Sequence, residues 1–175
     1  MRIMQICSGA GQLQRGAELF CLSLSQSLMR SGEEILLVTG ERPLITTSQC
    51  TVPMVTVPEI VNPWLRKACF DYINPFAIAA LKKHLLRFRP QIVHIHSLYG
   101  LSSTLVHTAS RFCPIIITLH DAFFTFSDSG ILTPKWSLAN SCLKVPHGYL
   151  HRVINRRQLR DAVLVSPRDR KSTRL

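Results

Sequence analysis

Acidic residues are scarce in this chain: 10 Asp and Glu stand against 21 Lys and Arg, a formal net charge of +11. Such a balance suits nucleic acid, a membrane surface or a phosphorylated substrate, and it equally suits a basic surface with no partner at all. Paired cysteines are also missing. Cys7, Cys21, Cys50, Cys69, Cys113 and Cys142 are scattered and never stand as CxxC, which argues against a zinc site and gives no disulfide framework. A reducing cytosol is the expected compartment. No stretch approaches the ~20 apolar residues of a membrane-spanning helix. The apolar start Met1-Arg2-Ile3-Met4 breaks at Ser8-Gly9, too soon for the core of a signal peptide. Internal repeats and low-complexity linkers are absent too.

What remains is an ordinary globular composition, 46% apolar and 18% charged over 175 residues. That length supports one domain with a sizeable core and is short for two. The domain is expected to span residues 1–168. Residues 169–175, DRKSTRL, carry no apolar periodicity and match an in-frame translation of a common sequencing adapter. They are expected to be a foreign or disordered basic tail.

Arg2–Cys7 reads as a strand running into the glycine loop Gly9-Ala10-Gly11. Over residues 16–31 the positions Ala17, Phe20, Cys21, Leu24 and Leu28 recur at helical spacing, and Gly32 offers a C-cap. Residues 35–39 form a second strand. Residues 52–57 form a third, which Pro53 and Pro58 confine to an edge. Asn74-Pro75 starts a helix with the buried stripe Ile78, Leu81, Leu85 and Phe88, ended by Pro90. A strand follows over 92–96, then a helix marked by Leu101, Leu105, Ala109 and Phe112. The almost purely apolar strand at 115–119 suits a position covered on both faces. A basic helix around 150–160 and a last strand at Ala162–Val165 complete the order. Alternating strands and helices predict an α/β fold with a doubly wound, mostly parallel Rossmann-like sheet.

In such sheets ligands bind beyond the carboxyl ends of the strands. The residues leaving those ends are Gly9, Gly11 and the helix opening Arg15-Gly16-Ala17-Glu18, then His96 and Tyr99, then His120-Asp121. Glycines admit close backbone approach, and a helix start presents N–H groups, which suits a phosphate or a sugar hydroxyl. A plain turn would use the same glycines. His94, inside its strand, reads as a core residue; His96, at the strand end, fits either a core or a ligand-facing role; His120 is the choice for a catalytic group. Phe123, Phe124, Phe126 and Trp136 either stack on sugar or line an acceptor groove, or fill space under a loop. Lys144, His147, His151, Arg152, Arg156, Arg157 and Arg160 suit anionic lipid or a phosphorylated acceptor, or form a solvated face.

The succession MRIMQICSGAG, RGAELFCLSLSQSLMRSGEEILLVTG, RPQIVHIHSLYGLS and PIIITLHD, resumed in LRDAVLVSPR, resembles the N-terminal domain of the family 4 (group 1) glycosyltransferases of bacterial type. The resemblance implies a GT-B fold, in which two Rossmann-like domains face each other across a cleft. It implies that this half receives a carbohydrate or lipid-linked acceptor, while a second domain, absent here, holds most of a nucleotide-diphosphate sugar. It also implies transfer with retention of configuration, without a bound metal or other cofactor. By the same likeness Gly9, Gly11, Gly16, Ala17 and Glu18 lie near the donor phosphates and the acceptor, His120 contacts the transferred sugar, and His96 faces the cleft. Arg15 stands where many relatives have glycine, which implies a stiffer loop. The basic and acidic donor-site residues of the second domain are missing, so these 175 residues alone are expected to show no meaningful transfer. A cytoplasmic location, with peripheral contact at the inner face of the plasma membrane, is the corresponding expectation.

Two other readings start from the same residues. A nicotinamide- or flavin-dependent oxidoreductase domain needs G-x-G-x-x-G, and here Gln14 stands at the third glycine, although Glu41 follows the second strand as an acid should. A basic nucleic-acid module needs charge along one element, whereas here it gathers late in the chain, so no nucleic-acid partner is expected. A non-catalytic module that only binds the acceptor is what a truncated family member would be.

Overall fold

The computed structural model describes residues 1–10, 16–40, 52–59 and 73–120, together with the backbone of 162–165. Its elements in chain order are β1 (Arg2–Cys7), α1 (Gly16–Arg30), β2 (Glu34–Gly40), β3 (Met54–Val57), α2 (Pro75–Phe88), β4 (Ile92–Ser97), α3 (Thr104–Ser110), β5 (Ile115–Thr118) and β6 (Ala162–Val165). All six strands join one sheet in the order β3-β2-β1-β4-β5-β6, and every neighbouring pair is parallel. The chain works outward from β1 to β3, then restarts on the other side of β1 with β4. Between β1 and β4 the strand order reverses, and there a crevice opens at the carboxyl ends.

The period of two along the strands sorts their side chains onto two helical layers. On one face Met4, Ile6, Val38, Val93, Ile95, Ile115 and Ile117 pack with Leu81 and Leu85 of α2 and Leu105 and Ala109 of α3. On the other, Ile3, Cys7, Ile35 and Leu37 pack with Cys21 of α1. Helices on both faces make the sheet doubly wound, as the apolar strand runs predict. Alternation puts Gln5, His94, His96 and Thr118 on the α1 face, as the polar members of otherwise apolar strands.

Local chemistry sets the helix ends. Past α1, Gly32 adopts φ 86°, Gly32 N–H reaches Met29 O at 3.0 Å and Glu33 N–H reaches Leu28 O at 3.0 Å; this is a Schellman closure. Asn74 caps α2, its side-chain oxygen accepting from Ala77 N–H at 3.0 Å, with Pro75 in the first turn. The Asn74 amide also donates to Pro58 O at 3.1 Å, tying the cap to the exit of β3. Asn74→Ala is therefore expected to destabilise the fold by about 1–2 kcal/mol, read as a lower urea midpoint at unchanged slope. Arg89 closes α2 in the left-handed region at φ 51° before Pro90.

Two expectations are corrected. The helix expected from Leu101 to Phe112 occupies only Thr104–Ser110. Gly100 at φ 81° and Ser102 at φ 95° hold residues 100–102 out of helical geometry, with Leu101 buried within a turn, while Phe112, past the helix end, is 42% exposed. Phe20, assigned to the buried stripe of α1, is 46% exposed, while Glu18 and Ser25 are buried with Cys21. The buried face of α1 is narrower and more polar than its apolar spacing suggests. β3 lies at the sheet edge as expected, with Pro53 and Pro58 just outside its paired residues. The expected basic helix at 150–160 lies outside the described residues. Among the described residues no helix is long and apolar enough to cross a membrane.

Candidate functional site

The carboxyl ends of β1, β2, β4 and β5, with the exit of β3, build one rim. Its floor is stitched by backbone and hydroxyl bonds. Ser8 N–H donates to Ser97 O at 3.1 Å, and the two serine hydroxyls lie 3.2 Å apart. Ser8 O accepts from Gly40 N–H at 3.0 Å and from the Thr39 hydroxyl at 3.1 Å, and that hydroxyl also reaches Ala10 O at 3.1 Å. The start of the glycine loop is thus pinned to β2 and β4, with Gly9 buried.

Glu59, leaving β3, lays its carboxylate against Gly40 and Gly100, where a Cβ on either glycine would stand. Nothing in the sequence singled out this acid. Tyr99, beside Gly100, is 37% exposed on the rim.

Three histidines occupy the α1 side of the crevice. The rings of His94 and His96 lie 4.1 Å apart between centroids, and those of His96 and His120 lie 5.5 Å apart. Phe20 covers them from α1, 5.8 Å from His96 and edge-on to His120 at 5.3 Å. His94 Nε2 meets the Thr118 hydroxyl at 2.8 Å. His96 Nε2 meets Gln5 Oε1 at 2.9 Å, and His96 Nδ1 meets His120 Nε2 at 3.2 Å. Burial, then the charge of His120, pulls His94 down to about 4. Burial, then His94 and His120, pulls His96 down to about 2. Both rings are therefore neutral at pH 7. Among the described residues no group of three or more His, Cys, Asp or Glu is placed to hold a metal ion.

Behind the histidines, Cys21 Sγ donates to Gln5 Oε1 at 3.4 Å. A hydrogen bond with Cys7, then burial, pushes the Cys21 thiol well up, which makes it a neutral donor rather than a nucleophile. Glu18 is buried in the first turn of α1, and its Oε2 has no hydrogen-bond partner among the described residues. A Cβ added to Gly16 would meet nothing within 4 Å among the described residues.

Of the residues expected at the site, the fold brings Gly9, His96, Tyr99 and His120 to the rim and Gly16, Ala17 and Glu18 to the helix opening beside it. Gly11, Arg15 and Asp121 lie outside the described residues, as do the aromatic segment 123–136 and the basic cluster 144–160. Sequence reasoning missed Phe20, Gln5, Thr118 and Glu59. The polar residue in mid-strand at Gln5 was the available signal for the second of these.

The family model described as Glycosyltransferase Family 4 matches residues 14–160. Among solved structures, sucrose-phosphate synthase from Thermosynechococcus elongatus superposes with a TM-score of 0.61 at 10% identity, covering 98% of this chain and 43% of the other. The glycosyltransferase VinC in complex with dTDP gives 0.53 at 14% identity, with 96% and 49% covered. Anabaena Alr3699/HepE in complex with UDP and glucose gives 0.50 at 14% identity, with 95% and 44% covered. The chain thus spans less than half the length of each of these structures. No curated protein matches it in sequence.

Proposed function

Because the chain belongs to glycosyltransferase family 4, we propose that it forms the acceptor-side half of a two-domain hexosyltransferase that uses a nucleotide-diphosphate sugar and retains anomeric configuration. The observation that carries this reading is the hydrogen-bonded histidine pair at the ends of β4 and β5, roofed by Phe20, at the crevice where the strand order reverses. Imidazole nitrogens hydrogen-bond sugar hydroxyls, and the Phe20 ring lies edge-on beside His120.

His120 contacts the transferred sugar and orients it. The helix opening at Gly16 faces the acceptor and the donor together. There the buried carboxylate of Glu18 opposes the positive end of the helix, which favours a sugar hydroxyl over a phosphate at that spot. The charge that develops on the leaving diphosphate is the larger catalytic burden; Arg15 and basic groups of a partner domain carry it, so this chain alone transfers no sugar at a meaningful rate. The acceptor is a carbohydrate or lipid-linked sugar of a polysaccharide pathway, and the cluster at 144–160 meets anionic lipid at the inner membrane surface. Family membership removes the ground for a dinucleotide oxidoreductase, whose third glycine is already replaced at Gln14.

The test extends the reading frame beyond residue 168 and assays the longer protein with UDP- and dTDP-sugars, the nucleotides bound in two of the similar structures. Release of nucleoside diphosphate with sugar transfer is expected, and His120→Ala should lower kcat on the order of 10²-fold while leaving nucleotide affinity unchanged. Full activity in that variant would remove His120 from the site. Absence of turnover with every nucleotide sugar would leave a module that only binds acceptor.

A further inference from the structure

The hydrogen bonds behind His120 form a line, and a line of neutral groups has a direction. Cys21 carries a thiol proton and gives it to Gln5 Oε1 at 3.4 Å. The same oxygen takes a second hydrogen bond, from His96 Nε2 at 2.9 Å, and as a carbonyl it only accepts. With the Gln5 amide in this orientation, its nitrogen buried without a hydrogen-bond partner among the described residues, His96 Nε2 bears the proton. A neutral imidazole has one donor and one acceptor nitrogen, so His96 Nδ1 carries a lone pair. His120 Nε2, 3.2 Å from that lone pair, must donate to it.

We propose that Gln5 is a positioning residue which, acting through His96, holds His120 as its Nε2–H tautomer and so places a lone pair on Nδ1. His120 then meets a sugar hydroxyl as a hydrogen-bond acceptor. Gln5 is fully buried, 91 residues away in sequence from His96, and reaches His120 only through that ring. Burial keeps His96 neutral well below physiological pH, so the relay does not dissolve by protonation of its middle member. The Gln5 amide is held on the buried side by strand alternation, which places it with Ile3 and Cys7 against α1. The consequence for transfer rests on the reading of His120 as the sugar-facing group; the tautomer itself does not.

The test uses this chain without ligand, labelled with ¹⁵N-histidine, at about pH 8, where unperturbed imidazole is neutral. Long-range proton–nitrogen correlation reads which ring nitrogen bears hydrogen. His96 and His120 should both be Nε2–H, favoured roughly tenfold, the bias that one additional hydrogen bond supports. Gln5→Met removes the acceptor at similar length and should lower the ratio at His120 several-fold. Cys21→Ser keeps a donor toward Gln5 and should leave both ratios as they are. A proton on Nδ1 of His120 in the parent chain would overturn the relay, as would a folded Gln5→Met chain with an unchanged ratio. Should Gln5→Met fail to fold, the parent ratio decides alone. The outcome stands apart from sugar transfer: full activity of the longer His120→Ala enzyme would remove His120 from the site and leave the tautomer read in the parent chain as it is, and a wrong tautomer leaves the family's activity intact.

Discussion

Lowering the pH from 7.5 to 5.5 is expected to destabilise this fold by about 2–3 kcal/mol, and His96 to supply about half of that loss. His94 is pulled down to about 4 and His96 to about 2, whereas both titrate near 6.5 in an unfolded chain. Above that value neither state binds the proton, and stability is flat. Below it the unfolded chain takes up protons that the native rings refuse, so stability falls as pH falls, through 6.5 toward each native value. Every unit of this difference is worth about 1.4 kcal/mol for each proton. The half-buried His94 is screened by solvent and contributes less than the buried His96. His84, also lowered by burial, adds a smaller loss of the same sign. Urea midpoints at the two pH values measure the effect, and His96→Gln, which keeps a neutral hydrogen-bonding side chain, should remove about half of the pH dependence. A flat profile across that window would mean that water reaches His96.

The sheet was legible from the chain because both of its faces are apolar. Continuous apolar runs such as Ile3-Met4 and Ile115-Ile116-Ile117 need helices on either side, and the caps at Asn74 and Gly32 announce two helix ends by chemistry that acts within a few residues. His96 and His120 were legible as strand-end residues for the same reason. The order β3-β2-β1-β4-β5-β6 was not legible, because strands separated by tens of residues carry no local pattern that relates them. What else was not legible depended on direction rather than period. Phe20 fits the apolar spacing of α1, yet it points toward the histidines, because Glu18, Cys21 and Ser25 take the buried face. The start of α3 was misplaced because left-handed backbone at Ser102 has no signature in a serine. Glu59 and Gly100 meet across more than forty residues of chain, and no local pattern relates them.

That meeting makes Gly100 the most consequential small residue of the rim. Gly100→Ala is expected to cost about 2–3 kcal/mol, from two sources that can be separated. The first is backbone: at φ 81° a Cβ costs roughly 1–2 kcal/mol against the following carbonyl. The second is displacement of the Glu59 carboxylate, which lies where that Cβ would go, at about 1 kcal/mol. In a Glu59→Ala background only the first source remains, so the alanine at Gly100 should cost about 1–2 kcal/mol there. Gly40 shares the same carboxylate, and its Cβ would also stand 3.0 Å from Ser8 O, where backbone yields little. Gly40→Ala is thus destabilising by itself, but the double variant Gly40→Ala/Gly100→Ala should fall short of the sum of the two, because one carboxylate is expelled only once. Urea denaturation of the three variants forms the cycle. Strictly additive losses would mean that the two glycines serve separate contacts, and that Glu59 is not the side chain they jointly accommodate.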